Sequence, residues 1–153
     1  MRYPTILGLA ATVMLVQVQP VLAKTKTGAE VGQVAKPITV MITTPDEIGS
    51  GVIIKREGNV YSILTAAHVV KSNSAAYTIM TTDGENHELD NKTIQPLPKK
   101  IDLAIIKFTS SKTYPVAKIG NSSQVVEGSN VYAAGFPAPT QAITQAVYAF
   151  KDG

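Results

Sequence analysis

Few side chains in this 153-residue chain could carry chemistry: it has two His and no Cys. His68 sits in Leu64-Thr65-Ala66-Ala67-His68-Val69-Val70, where an apolar run ends and two alanines follow. Small residues there let the backbone pack closely and leave the imidazole on a rigid support at a turn. An imidazole exchanges its proton near neutral pH, so a histidine held this way could work as an acid or a base. The second candidate is Asp102, 34 residues on, heading Asp102-Leu103-Ala104-Ile105-Ile106-Lys107. Taken singly, each has a plainer reading: a loop histidine, and a solvated carboxylate capping a strand. His87, in Glu85-Asn86-His87-Glu88, lies in a polar run and reads as solvated. The acidic residues around it, Asp83, Glu85, Glu88 and Asp90, fit no EF-hand spacing.

Composition removes other chemistries. Without Cys there is no disulfide scaffold, thiolate nucleophile, Cys-ligated zinc or iron–sulfur cluster. With two His, a His-rich metal centre is not expected either, and the chain is expected to need no metal and no cofactor. Lys plus Arg is 14 and Asp plus Glu is 11, a net charge of +3. The cations are scattered, with no block beyond Lys99-Lys100, so nucleic acid is not an expected partner. Charged residues are 16% and hydrophobic ones 44%, which argues for a packed domain over disorder.

Residues 1–23 read as a secretory signal peptide. Arg2 supplies the positive start, residues 6–18 the apolar run, and Val21-Leu22-Ala23 the small residues of a cleavage site. The run is shorter than the roughly 18 residues of a spanning helix, so no stable membrane span is expected after cleavage. An exported product without Cys fits a bacterial protein, periplasmic or secreted.

Residues 24–36 are polar, with Gly28 and Gly32, and read as a flexible arm. From there the signal is β. Strands are expected at residues 38–42, 49–55, 60–65, 77–81, 92–97 and 102–108. A tight turn at Gly58-Asn59 joins the second and third as a hairpin. The class is therefore all-β, a small barrel or sandwich of six short strands. Gly120-Asn121-Ser122-Ser123 reads as a loop, residues 130–135 and 142–150 as further strands, and Phe136-Pro137-Ala138-Pro139 as a rigid turn.

Thr65-Ala66-Ala67-His68 resembles the catalytic-histidine motif of trypsin-like serine proteases. Gly49-Ser50-Gly51-Val52-Ile53-Ile54 is similar to the strand before it in bacterial members, including the Htr/Deg envelope proteases. Asp102-Leu103-Ala104-Ile105 resembles the family's aspartate motif. The segments Gly120-Asn121-Ser122-Ser123 and Tyr132-Ala133-Ala134-Gly135-Phe136-Pro137 are similar to the linker between two barrels and to the first strand of the second. The resemblance runs from Ile38 to Phe150. After the signal peptide (1–23) and the arm (24–36), it implies a trypsin-like N-terminal barrel (37–120) of six antiparallel strands, and a linker with one or two strands of an incomplete second barrel (121–153). It implies serine-type endopeptidase chemistry on protein or peptide substrates, with His68 as general base and Asp102 orienting it.

The family's nucleophile lies in a Gly-Asp-Ser-Gly-Gly type motif, and no such motif occurs in this sequence. Ser122, Ser123 and Ser129 read as structural. The chain thus resembles the N-terminal half of a two-barrel protease, and without nucleophile and oxyanion hole it is expected to be inactive alone. The alternatives are a pseudoprotease that binds peptides or proteins, and half of a split protease completed by a second chain. Intact His68 and Asp102 favour the protease reading. Apolar residues Tyr132, Phe136, Tyr148 and Phe150 are expected to drive self-association or partner binding through the C-terminal strands.

Overall fold

The computed structural model describes residues 26–45, 47–72, 74–98 and 101–136. The signal segment 1–23, Lys99-Lys100 and the strand expected at 142–150 lie outside them.

Seven strands form one antiparallel sheet among the described residues. They are β1 (Thr39–Thr43), β2 (Ile48–Glu57), β3 (Val60–Thr65), β4 (Thr78–Met80), β5 (Asn86–Glu88), β6 (Gln95–Pro96) and β7 (Ala104–Thr109), in the order β5-β4-β1-β2-β3-β7-β6. The sheet curls into a half-barrel, the expected all-β, trypsin-like class. β-Branched runs such as Thr39-Val40-Met41-Ile42-Thr43 suit a pleated, half-buried surface. Their alternate side chains point inward, so Val40, Ile42, Ile53, Ile63, Ile79 and Ile106 form the core. Gly51 sits among them because there is no room for more: an added Cβ would stand 3.1 Å from Ile42 Cδ1 and 3.3 Å from Val40 Cγ2. The β2–β3 ladder slips between Ile53 and Lys55, a bulge that bends the strand as it leaves the core.

Tyr61, fully buried, organises the closing side of the barrel. Its ring stacks on Phe108 at 5.1 Å and meets Tyr114 edge-on at 5.5 Å. Its hydroxyl donates to the Lys112 carbonyl (2.9 Å) and accepts from the Tyr114 N–H (3.2 Å), so the chain after β7 is tied back to β3.

Five expectations need correction. The strand count is seven, because Asn86-His87-Glu88 pairs with β4 through its backbone despite its polar sequence. His87 is accordingly half-buried, not solvated: its ring lies 4.7 Å from that of Phe108, and Nε2 is 3.3 Å from the Tyr114 hydroxyl. That contact joins β5 to β7 across the open side of the sheet. The strand expected at 92–97 begins as a 3-10 turn (Asn91–Thr93), because the Asp90 side chain accepts from the Lys92 N–H at 3.0 Å; only Gln95–Pro96 pairs. Residues 28–35 of the arm form a helix, α1 (Gly28–Ala35). Thr27 and Glu30 close a capping box at its start, and the Thr39 hydroxyl donates to the Ala35 carbonyl at its end. Finally, residues 130–135 contain an isolated bridge at Tyr132, not a strand.

A polar cluster lies beside His87. Asp83 accepts from the Thr81 hydroxyl (2.6 Å) and from Lys112 Nζ (3.0 Å), and Lys112 also reaches Glu85 (2.9 Å). The Thr81 hydrogen bond, aided by Lys112 and the Glu85 N–H, holds the Asp83 carboxyl well below the usual range. Glu85 and Asp83 together raise the Lys112 ammonium above its own. A depressed carboxylate stabilises the fold above its unfolded pKa, about 3.9, and loses that contribution as pH falls through the lower folded value. Asp83→Asn should therefore lower the urea midpoint at pH 7, with the gap to wild type shrinking below about pH 4. A gap independent of pH would refute this account.

Candidate active site

The ladder between β3 and β7 ends at the pair Thr65 and Ala104. Beyond it both strands leave the sheet on the same side. β3 continues through Ala66, extended at φ −75° and ψ 140°, into a single 3-10 turn, Ala67–Val70. The turn carries His68, and Asp102 lies just before β7. Antiparallel register sets Asp102 beside Ala67 and His68, so the sheet itself brings together groups 34 residues apart.

The contact is double. Asp102 Oδ2 lies 2.6 Å from His68 Nδ1, and Oδ1 accepts from the His68 backbone N–H at 2.9 Å. One carboxylate thus holds both the ring and the main chain it hangs from. The His68 side chain pulls the Asp102 carboxyl below its ordinary pKa, and the backbone N–H groups of His68 and Ala67 act in the same direction. An ionised carboxylate can only accept, so Nδ1 carries a ring proton, and it is the tautomer with its lone pair on Nε2 that this contact favours for the neutral ring. The pair stays largely open to solvent, with side chains 67% and 59% exposed. A cleft of about 650 Å³ beside it is lined by Ala67, His68, Val70, Lys71, Ile94 and Pro96.

β2 supports the turn from below. A Cβ at Gly49 would stand 2.8 Å from Val69 Cγ2, so only glycine lets Val69, the neighbour of His68, rest on the strand. Serines 122, 123 and 129 lie in local turns. Ser123 Oγ donates to Asn121 Oδ1 (2.7 Å), Ser129 Oγ accepts from the Val126 N–H (3.2 Å), and Ser122 opens the short turn to Gln124. No group of three or more His, Asp or Glu able to hold a metal occurs among the described residues.

A curled antiparallel sheet with a histidine turn facing an aspartate at its rim defines a trypsin-like peptidase domain. Residues 49–153 match the family model for that domain, and the chain belongs to this family. Among known proteins it is similar to human serine protease HTRA3, with 37% identity over 102 residues, 63% of this chain and 21% of that protein. It is similar also to human serine protease HTRA4, with 34% identity over 93 residues, 61% of this chain and 18% of that protein. Serine protease HTRA1 of Xenopus laevis is 33% identical over 97 residues, 63% of this chain and 20% of that protein. The matches thus span about a fifth of the length of these relatives.

Proposed function

We propose that this chain supplies the general base and its orienting carboxylate to a serine-type endopeptidase acting on protein substrates. The double contact of Asp102 with the ring and backbone of His68 is the observation that carries this reading. Nε2 takes the proton of a serine hydroxyl as that oxygen attacks the peptide carbonyl carbon. The imidazolium, its Nδ1–H donating to Asp102, then passes the Nε2 proton to the leaving amine as the C–N bond breaks. Water repeats the sequence on the acyl-enzyme. Asp102 stays ionised throughout, in keeping with its lowered pKa.

No Gly-x-Ser-Gly sequence occurs in the 153 residues, so the reading takes the nucleophile from further polypeptide or from a second chain. Ile119, Val125, Val126 and Val131 are well exposed on the segment after the barrel and offer an apolar surface for such a contact. Phe136, expected to share that role, is instead buried, and Tyr132 is half-buried. A serine-directed phosphonate should leave the isolated chain unmodified. With a polypeptide bearing the Gly-x-Ser-Gly segment added, an adduct should form on that serine and disappear with His68→Ala. Stoichiometric labelling of a monodisperse monomer of this chain, or labelling indifferent to His68, would overturn the proposal.

Export is proposed on the basis of residues 1–23. N-terminal sequencing of the processed protein should begin at Lys24, and an intact Met1 on a soluble cytoplasmic product would reject it.

A further inference from the structure

Ser50 lies on β2 between Gly49 and Gly51, and the alternation of the strand sends its side chain to the face opposite the core. There its hydroxyl meets a residue 86 positions away. Oγ accepts from the Phe136 N–H at 2.7 Å and donates to the Phe136 carbonyl at 3.4 Å. The approach is close enough that a Cβ at Gly135 would stand 3.0 Å from Oγ. Phe136 itself is 7% exposed, and four residues earlier Tyr132 lies against Gly28 of α1, where an added Cβ would be 3.3 Å from the ring.

The same tripeptide is fixed to the histidine turn. Gly49 seats Val69, and the Ser50 carbonyl accepts from the Thr65 hydroxyl at 2.8 Å, three residues before His68. One strand therefore grips both the support of the base and the backbone at Phe136. We propose that Ser50 is a positioning residue: it holds the chain at Phe136 in fixed register with His68, so that polypeptide following Phe136 starts from a set place relative to the base. Its value for catalysis rests on the reading of His68 above; the joint itself does not. Engaging the N–H and the carbonyl of one residue takes a group that donates and accepts at once, which a hydroxyl provides and a methyl does not.

The test uses the ¹⁵N-labelled chain in a weakly aligning medium. In wild type, the Phe136 amide coupling should fit the alignment of the β1–β3 amides, and its hydrogen exchange should be slow. In Ser50→Ala the coupling should shrink toward zero and exchange should rise roughly tenfold, the scale of one lost hydrogen bond. The His68 amide, bonded to Asp102, should keep its shift and so report that the barrel is intact. Ser50→Thr should restore both Phe136 readouts. The proposal falls if Ser50→Ala leaves Phe136 as in wild type, if Ser50→Thr behaves like Ser50→Ala, or if the wild-type coupling does not fit the barrel. Failure of the base reading would show elsewhere, as phosphonate labelling that ignores His68→Ala while Phe136 stays held.

Discussion

Replacing His68 by Ala will lower kcat for peptide cleavage by on the order of 10⁶ once the nucleophile is supplied, the scale seen when a triad base is removed. Asp102→Asn will cost about 10⁴. The second figure follows from the double contact. The backbone N–H of His68 donates to Oδ1, so an asparagine places its carbonyl oxygen there and turns its NH₂ toward Nδ1. Nδ1 must then accept, the ring proton moves to Nε2, and the atom that should take the serine proton no longer has a lone pair. KM should change little, because neither group is needed to bind the substrate in its ground state. Steady-state kcat and KM of the two variants check this, and an Asp102→Asn enzyme within tenfold of wild type would refute the assignment.

Tyr61→Ala should destabilise the barrel by about 3–5 kcal/mol, the range for truncating a fully buried aromatic ring. The ring is fully buried and supports both Phe108 and Tyr114, so the cavity cannot readily close. Tyr61→Phe isolates the hydroxyl. It should cost about 1–3 kcal/mol, because the Lys112 carbonyl and Tyr114 N–H lose their partner. Urea unfolding followed by circular dichroism gives both values. A neutral Tyr61→Phe would mean that the tether to residues 112–114 carries no stability.

How much of this was legible depended on whether side chains or backbone carried the signal. β1 to β4 and β7 lie within a few residues of their expected places, because alternating apolar side chains and the Gly58-Asn59 turn mark them. β5 was not legible, because its pairing with β4 is made by backbone groups that Asn86-His87-Glu88 does not advertise. At Asp90 a local side-chain hydrogen bond displaced the expected strand, and a bond of that kind leaves no periodicity to read. The helix α1 did leave a signal, the Thr27-x-x-Glu30 box, but eight residues are too few for a hydrophobic period to stand out. His68 and Asp102 were legible as a pair through the resemblance of their motifs, and the structure brings them to 2.6 Å. Ser50 was legible as part of a motif but not as a joint, since nothing in a sequence ties it to Phe136.

The rim that unites His68 and Asp102 has a consequence in time. Their contact spans 34 residues and exists only once β7 has added to β3. Such non-local pairings pay loop-closure entropy before they gain anything, and they make β-rich domains slow to fold. On the ribosome, His68 emerges well before Asp102, at roughly 5–20 residues per second. Until the seventh strand docks, the imidazole has no carboxylate to fix its tautomer. The two groups of the rim therefore come into register late, with the docking of β7 on β3.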